Sequence, residues 1–413
     1  MTSNDNDNFS RVQEKLKKGG NLFITGTAGS GKSYLLKQLK DYYGRTFHLT
    51  ASTGISALNI NGTTIHSWAK LGIGANPEDR IAKMIAKDQK CLSKILSCRY
   101  LAIDEISMIS DKLLYLLHKV LVLVRKNTNP FGGVQLILLG DFLQLPPVLK
   151  DDESLCLNSQ IWLHANIETV LLTTNFRQKD DTGYFSLLKD IRKGINVDHA
   201  HYKLQDRVGQ PYPEDVTRLV SHRDKVREIN QIFLDRITLP VKTYKGKYTG
   251  SEMDINAHKS PYIEMEEIEF KKGSKVMLNY NVSLKDGLVN GLIGSITSFS
   301  PNGLPVVLFE NGDEIEVRPM TWEIEDSTGR VIFSFTQLPL QLAWAVTIHK
   351  SQGCTFSNLH IDLSKCFADG QAYVALSRVK SLEGLYLEPF DRGRIRTNKL
   401  IVDYYNYLEE ATK

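Results

Sequence analysis

Short apolar runs of strand length alternate with longer segments of helical period in the first part of the chain. Runs of this kind lie at 22–24, 47–50, 100–103 and 135–139, and the run at 100–103 predicts a buried strand. Residues 113–124 are so apolar that we expect a helix within the core. Strands and helices in this order predict an α/β fold built on a parallel sheet.

Two smaller helical features accompany these strands. Residues 9–18 are expected to form one helix ahead of the first strand. In residues 74–98, Ile81, Ile85 and Leu92 recur at helical spacing around a charged stretch. The second segment therefore predicts a small helical excursion from the sheet.

The strand and helix pattern returns in the second part of the chain. Segments expected to form strands at 170–172, 217–220 and 360–362 alternate with helical segments at 221–237 and after 370. This alternation predicts a second parallel sheet, and two such lobes would enclose a cleft.

Residues 239–335 interrupt the second lobe with a different composition. Glycines are frequent, the apolar segments are short, and Asn302-Gly303 and Asn311-Gly312 are turn signals. We expect a β-rich insert that forms a small barrel.

The first apolar run leads directly into the sequence GTAGSGKS, at residues 26–33. Glycines allow backbone amides to wrap a polyphosphate, and the following helix offers its positive N-terminal end to the same anion. In this interpretation Lys32 reaches the outer phosphates and Ser33 ligates Mg²⁺. The predicted nucleotide-binding residues are Gly26, Thr27, Ala28, Gly29, Ser30, Gly31, Lys32 and Ser33.

Polar residues follow two of the later strands. The run 100–103 ends in Asp104 and Glu105, a pair suited to holding magnesium through water and to activating the attacking water, respectively. The alternative is a solvated acidic strand end. Gln144 follows the run 135–139, where its amide can contact a terminal phosphate, and Pro146-Pro147 stiffens the same loop.

Two further groups of donors suit contacts with a phosphate backbone. Thr53, Gly54 and His66 lie in a segment rich in threonine and glycine, for which turn chemistry without any ligand is the alternative. His349 and Lys350 are expected near a helix end, where a buried structural histidine is the alternative.

Bulk composition narrows the class of protein only slightly. The chain has 413 residues and a formal net charge of +4, which is too small to indicate nucleic acid by itself. Five cysteines without metal-binding spacing predict reduced structural thiols and a cytosolic location. Because no apolar stretch is long enough to cross a bilayer, we expect no membrane association.

Taken in order, the motifs resemble those of superfamily 1 helicases of the 5′-to-3′ branch, and most closely the petite-integration-frequency (PIF) family. The resemblance covers residues 21–387 and rests on these stretches: GTAGSGKS, TASTGISA with TIHSW, AIDEISMIS, PFGGVQLILLGDFLQLPPV, LTTNFRQ, GLVNGLIG, LAWAVTIHKSQG and AYVALSR.

The resemblance implies a domain plan. It indicates two RecA-like lobes with a small wedge-bearing insert in the first and a Src-homology-like β-barrel in the second. The predicted boundaries are 1–57 and 99–165 for the first lobe, 58–98 for the wedge insert, 166–238 and 336–413 for the second lobe, and 239–335 for the barrel.

The resemblance also implies an activity and further site residues. The implied activity is ATP- and Mg²⁺-dependent movement on single-stranded DNA, with unwinding of tailed duplexes and G-quadruplexes. The protein is expected to act as a monomer. Around ATP it adds Arg177, Arg378, Gln352 and Gly353, with the arginines as fingers from the opposite lobe. Near DNA it places Thr53, Gly54, His66, Asn290, His349 and Lys350.

The sequence departs from the family pattern in places. Gln13 lies only thirteen residues before Gly26, closer than the family's adenine-contacting glutamine, and Ser56 replaces a favoured alanine. In the signature helix the usual arginine pair is reduced to Arg125, with Val122 in the partner position. Short flanking regions favour a bacterial or phage protein.

Two other function classes use the same phosphate loop. A nucleotide-dependent switch would bind nucleic acid or a partner without unwinding anything. The presence of Glu105, Gln144 and both arginines argues against it, because a switch does not require every residue of a hydrolytic site. A small-molecule phosphotransferase would leave the GDFLQLPPV and TIHKSQG stretches unexplained.

Overall fold

A computed structural model gives the fold of the chain. It describes residues 3–72, 76–147, 149, 151–280, 282–283, 286, 288, 291–325 and 331–411. The chain divides into two compact units. The first comprises Met1–His201, Phe367–Ser377 and Ile395–Lys413, and the second comprises Tyr202–Cys366 and Arg378–Arg394.

A six-stranded parallel sheet forms the centre of the first unit. Its strands are β1 (Asn21–Gly26), β2 (Phe47–Ala51), β3 (Thr63–Thr64), β4 (Tyr100–Asp104), β5 (Gln135–Gly140) and β6 (Ile167–Leu172). They lie in the order β3-β2-β4-β5-β1-β6. All five residues of β4 are buried, as expected for a strand covered on both faces. Because Thr25 pairs with Gly140 and Ile103 with Leu138, the carboxyl ends of β1, β4 and β5 meet at one edge.

Helices cover both faces of this sheet. The helices between and around these strands are α1 (Ser3–Lys17), α2 (Lys32–Tyr43), α3 (Gly54–Asn59), α4 (Ile65–Trp68), α5 (Glu78–Ala86), α6 (Gln89–Ser97), α7 (Asp111–Arg125) and α8 (Gln160–His164). After β6 come α9 (Thr182–Lys193), in the first unit, and α10 (Val197–Gln205), which crosses the boundary between the two units. Apolar side chains of α1 and α2 pack on one face, and those of α5 to α8 pack on the other. The early helix, the excursion at 74–98 and the core helix at 113–124 are confirmed.

The second unit combines a parallel sheet with an antiparallel insert. Its strands are β7 (Arg218–Val220), β8 (Lys242–Lys245), β9 (Lys247–Gly250), β10 (Glu267–Phe270), β11 (Lys275–Leu278), β12 (Ile293–Phe299), β13 (Pro305–Phe309), β14 (Glu314–Glu316), β15 (Met320–Glu325), β16 (Val331–Gln337), β17 (Leu340–Leu342), β18 (Ala345–Thr347), β19 (Leu359–Ile361) and β20 (Leu385–Leu387). Its helices are α11 (Arg223–Arg236) and α12 (Glu252–His258).

Four of these strands form the predicted second parallel sheet, in the order β18-β7-β19-β20. The described residues of the insert between α11 and β18 form three antiparallel sheets together with α12. Gly303, between β12 and β13, and Gly312, between β13 and β14, have φ values of +80° and +92°, so both glycine turns are used as hairpin connections. The α/β class and the β-rich character of the insert are confirmed, whereas closure into a barrel stays a prediction.

The strand at 167–172 belongs to the first sheet and not to the second. β6 pairs in parallel with β1 along its whole length, from Asn21–Ile167 to Gly26–Leu172. Two later helices, α13 (Gln371–Leu376) and α14 (Lys399–Ala411), also belong to the first unit. The predicted assignment of 166–238 and 336–413 to the second lobe is therefore wrong for these segments, because local periodicity does not show which sheet a strand joins.

All five cysteines are free thiols with buried side chains. Burial raises the pKa of Cys98 to about 12 and that of Cys366 to about 11, so these thiols are unreactive at neutral pH. Within the described part of the chain, none of the helices combines the length and apolarity that crossing a bilayer requires.

Candidate nucleotide site and nucleic-acid contacts

The glycine loop lies between β1, which ends at Gly26, and α2, which begins at Lys32. Gly29 and Gly31 have φ values of +79° and +86°, a region that L side chains rarely adopt. A Cβ atom on Gly29 would lie 2.7 Å from Cβ of Arg177. The residues at these positions therefore fit a tight cradle of backbone amides at a helix N-terminus.

The Lys32 side chain folds back over this loop. Its ammonium donates to the carbonyl oxygens of Gly26, at 2.8 Å, and Thr27, at 3.1 Å. The Oγ1 atom of Thr27 is buried and has no hydrogen-bond partner among the described residues. A cation and an unpaired buried hydroxyl thus lie where the terminal phosphates of a nucleotide are expected.

Burial lowers the pKa of the Lys32 ammonium. The negative charges of Asp141, Glu105 and Asp104 oppose this shift. The structure therefore brings the lysine of the glycine loop together with the acidic residues that follow β4 and β5. This is the arrangement that the shared strand edge predicts.

Three neighbours fix the loop from outside it. The amide of Ala28 donates to the Tyr373 hydroxyl at 2.9 Å, and Asn175 donates to the Ala28 carbonyl at 2.8 Å. The amide of Phe176 donates to the Gly29 carbonyl at 2.9 Å. Sequence reasoning missed Tyr373, although it lies in the AYVALSR stretch that supports the resemblance.

Asp104 and Glu105 differ sharply in environment. Burial raises the pKa of Asp104 to about 6. Two neighbours oppose this shift: the Glu105 N–H, which donates to Oδ1 of Asp104 at 2.9 Å, and the charge of Lys32. A bound cation would favour the ionised carboxylate, so Asp104 fits a Mg²⁺ site, together with Ser33 on the exposed start of α2. Glu105 has φ +53° and ψ +47°, a costly conformation for a residue with a side chain that is found most often at functional sites.

A buried ion pair lies behind the loop that carries Gln144. Arg192, on α9, donates to both carboxylate oxygens of Asp141 at 2.9 and 2.7 Å, and their side chains are 4% and 0% exposed. Burial raises the pKa of Asp141, but Arg192, followed by Lys32 and the Leu143 N–H, lowers it more. Gln144 is buried and donates to the same carboxylate at 3.3 Å. Arg192 therefore holds Asp141 ionised and in place beside Gln144.

Tyr405, on α14, extends this buried cluster. Its hydroxyl lies 2.6 Å from Oγ1 of Thr25 and accepts from the amide of Phe142 at 3.2 Å. The guanidinium of Arg192 lies 4.5 Å from the centre of its ring. α14 thus joins β1 to the loop after β5, a connection for which the sequence carried no signal.

Arg177 lies beside the glycine loop in the first unit. Its Nη1 donates to the carbonyl of Ser377 at 3.0 Å. The prediction that it comes from the opposite lobe is wrong, because β6 joins the first sheet and the residues after β6 stay in that unit. Arg378, buried at 2% exposure, belongs to the second unit, as predicted.

Gln352 and Gly353 lie in the second unit, in the turn that follows β18. The Nε2 atom of Gln352 is buried without a hydrogen-bond partner among the described residues. A buried amide of this kind needs a partner, which a ligand or a water molecule would supply.

The candidate DNA contacts in the first unit have structural roles of their own. The Thr53 hydroxyl accepts from the Ser56 amide at 3.2 Å and caps α3, while Gly54 has open space around it. His66 lies on α4 and is half-buried, and burial lowers its pKa. Turn and capping chemistry is therefore present here, and a role in DNA binding stays a prediction.

His349 and Lys350 lie in a turn that directly follows β18, and not near a helix end as expected. The Lys350 amide donates to the Thr347 side chain at 3.1 Å. Burial, followed by the charge of Arg223, lowers the pKa of His349. The remaining candidate, Asn290, lies outside the described residues.

Arg125 has a structural role in the first unit. Its guanidinium donates to the carbonyl of Gly132 at 2.7 Å and to that of Ile95, near the end of α6, at 2.6 Å. The single arginine left in the signature helix therefore ties the helical excursion to α7.

Two aromatic residues, one in the TIHSW stretch and one in the GDFLQLPPV stretch, are part of the core. Trp68 is 2% exposed and its indole N–H donates to Nδ1 of His48 at 3.0 Å. Phe142 is 5% exposed and packs 5.3 Å from Phe23. Neither ring presents a free face to a nucleic-acid base.

The partly buried imidazole of His48 makes stability dependent on pH. Burial, followed by the charges of Lys40 and Lys94, lowers the pKa of His48 from 6.5 to about 4. Since the folded state binds fewer protons than the unfolded state, this contribution is present above about pH 6.5 and is lost as the pH falls towards 4. We expect a loss of about 1–2 kcal/mol between about pH 7 and about pH 5, measured by urea unfolding.

A variant isolates this effect from other titrating groups. His48→Gln keeps an acceptor for the Trp68 N–H but does not titrate, so it should lose less stability on acidification than the wild type. His164→Gln, at an exposed position, is the control and should retain the wild-type pH dependence. Equal pH dependence for His48→Gln and the wild type would contradict the assignment.

Comparison with known proteins extends these observations. The family model for PIF1-like helicases matches residues 1–201. The ATP-dependent DNA helicase PIF1 of Homo sapiens is 39% identical over 411 residues, in an alignment that includes 97% of this chain and 63% of the human protein. The chain therefore spans less than two thirds of that curated relative.

Solved structures align over nearly the whole chain. The Pif1 helicase from Candida albicans has a TM-score of 0.84 and 33% identity, and the alignment covers 99% of each chain. Pif1 from Bacteroides, in complex with ADP-AlF3 and ssDNA, has a TM-score of 0.69 and 29% identity, with 97% of this chain and 96% of that chain covered. These similarities confirm the RecA-like α/β fold, and this chain belongs to the PIF1-like helicase family.

Proposed function

We propose that this chain is an ATP-dependent DNA helicase that moves 5′-to-3′ on single-stranded DNA and unwinds tailed duplexes and G-quadruplexes. One observation in the chain carries the proposal. The glycine loop, the Asp104–Glu105 pair and the Asp141–Gln144 loop all follow strands that end at one edge of a single sheet, and their charges interact there.

This arrangement supports a division of roles in ATP hydrolysis. Lys32 and the amides of the glycine loop bind the β- and γ-phosphates, and Glu105 orients and deprotonates the attacking water. Mg²⁺, held by Ser33 and Asp104, would neutralise charge on the phosphates when bound. Gln144 contacts the terminal phosphate, and its hydrogen bond to Asp141 fixes the amide.

The remaining candidates extend these roles. Arg177, beside Gly29, and Arg378 would stabilise the charge that develops on the γ-phosphate. Gln352 and Gly353 would contribute to nucleotide binding, and the unpaired Nε2 atom of Gln352 supports this role. Thr53, Gly54, His66, His349 and Lys350, together with Asn290, are the proposed DNA contacts.

Steady-state ATPase activity tests the motor part of the proposal. We expect single-stranded DNA to raise turnover at least about tenfold, because family members couple hydrolysis to movement on the strand. Oligo-dT should stimulate as well as mixed sequence, since charge and stacking tolerate any sequence. Turnover that does not respond to DNA would contradict a motor.

Strand displacement tests unwinding, direction and substrate. A duplex with a 5′ single-stranded tail should be opened in the presence of ATP, whereas a matched duplex with a 3′ tail should not. DNA-stimulated hydrolysis without displacement would instead favour the nucleotide-dependent switch. A labelled G-quadruplex with a 5′ tail, and sedimentation on a short oligonucleotide, test the proposed quadruplex substrate and monomeric state.

A further inference from the structure

Three cations from two elements of the second unit converge on one carboxylate. The Lys350 ammonium lies 2.7 Å from Oε2 of Glu264. From the start of α11, Arg227 and Arg223 approach Oε1 of the same side chain at 3.5 and 3.6 Å. Lys350 is a proposed DNA contact, whereas neither arginine was predicted to bind anything.

The exposure of these side chains leaves the cations available for another partner. The side chains of Lys350 and Glu264 are each 31% exposed, while Arg223 and Arg227 are 72% and 66% exposed. Among the described residues, Asp224 also forms an ion pair with this cluster, 3.3 Å from Arg227. The cluster therefore contains three positive and two negative charges and can accept a further anion.

Glu264 is ionised and held in position. Burial raises its pKa, but the hydrogen bond and charge of Lys350, followed by the two arginines, lower it more. It lies in the 3₁₀ segment Ser260–Met265. Within that segment the ring of Tyr262 packs 4.8 Å from Phe335, and the Met265 carbonyl accepts from Gln337 at 2.9 Å. A side chain anchored in this way is not a freely moving surface carboxylate.

We infer that Arg223, Arg227 and Lys350 form a binding site for a phosphodiester of single-stranded DNA, and that Glu264 occupies this site as an internal phosphate mimic. A carboxylate and a phosphate accept charge-assisted hydrogen bonds from the same cations. In the absence of DNA the carboxylate keeps the three cations assembled, and an incoming phosphate must displace it. The inference rests on the proposed DNA-binding function.

The charges of the cluster predict how removal of the Glu264 carboxylate changes DNA binding. Glu264→Gln leaves the three cations without their shared carboxylate. Since exposed ion pairs contribute up to about 1 kcal/mol, we expect affinity for oligo-dT to rise about three- to tenfold at moderate salt. Each additional phosphate contact should steepen the dependence of log K on log salt by about 0.7.

Fluorescence anisotropy of a labelled oligo-dT measures both quantities across a series of salt concentrations. Glu228→Gln is the matched control. Like Glu264→Gln it removes one negative charge, but this charge lies on α11 and is paired with Lys225. It should change affinity less than about twofold, because Glu228 pairs with Lys225 and its replacement releases none of the three cations that Glu264 holds. In a Lys350→Ala background, Glu264→Gln should lose most of its gain. Thermal unfolding of each variant checks that the fold is retained.

The outcomes separate the inference from the function on which it rests. Tighter binding with a steeper salt dependence for Glu264→Gln alone supports the inference. Unchanged binding, or an equal gain in Glu228→Gln, overturns it while the proposed function stands. If neither the wild type nor Glu264→Gln binds any oligonucleotide, both the function and the inference are overturned.

Discussion

Replacement of Lys32 with alanine should lower ATP turnover by about a hundredfold to a thousandfold. The lysine ammonium lies over the glycine loop, and the charges of Asp104, Glu105 and Asp141 act on it. Without it, these carboxylates would face the triphosphate with no side-chain cation of the loop to balance them. Repulsion would then weaken nucleotide binding as well as the stabilisation of the transition state.

The control for this variant is Lys37→Ala, which removes an equal charge from an exposed position on the same helix. It should turn over ATP at the wild-type rate. Thermal unfolding without nucleotide checks that Lys32→Ala and Lys37→Ala both retain the fold. Turnover by Lys32→Ala within tenfold of the wild type would show that this loop is not the site of hydrolysis.

The elements of the nucleotide site that the sequence predicted are those whose signals are local. Glycines with positive φ, the lysine that follows them and an acidic pair at the end of a buried strand all lie within a few residues of each other. Parallel strands then bring such segments to one sheet edge, so the meeting of Lys32 with Asp104 and Glu105 follows from strand order alone.

The elements that the sequence did not predict depend on contacts between distant segments. Tyr373 contacts Ala28 from 345 residues away, and Tyr405 contacts Thr25 from 380 residues away. Periodicity shows that 167–172 is a strand, but its pairing with β1 depends on which sheet edge is free. For the same reason, the location of Arg177 and the carboxylate that holds Lys350 could be found only in the structure.

Replacement of Arg192 with alanine is expected to destabilise the first unit by about 3–5 kcal/mol. Arg192 and Asp141 lie 51 residues apart in sequence and form two hydrogen bonds in a nearly solvent-free position. Removing the guanidinium leaves a buried carboxylate without its cation and removes the contact with the Tyr405 ring. The cost is that of an uncompensated buried charge, which exceeds the cost of losing an exposed pair.

Lys193→Ala is the matched control, because Lys193 follows Arg192 in sequence and forms a more exposed ion pair with α14. Its ammonium lies 2.7 Å from Glu409, and the two side chains are 18% and 37% exposed. Removal of this pair should cost about 1 kcal/mol or less. Since two units need not unfold together, hydrogen exchange of β1 and β5 peptides, with β7 and β19 peptides as an internal reference, measures the loss in the first unit alone.

A second substitution distinguishes a buried charge from lost packing. If the uncompensated carboxylate causes the instability of Arg192→Ala, then Asp141→Asn in the same chain should recover part of it, because the neutral amide can still accept from the Leu143 N–H. If packing against Tyr405 dominates, the double variant should be no more stable than Arg192→Ala, and Arg192→Met should recover more. Because Asp141 also contacts Gln144, ATP turnover should fall in the double variant even where stability returns, which would show that the pair positions the catalytic loop as well as the core.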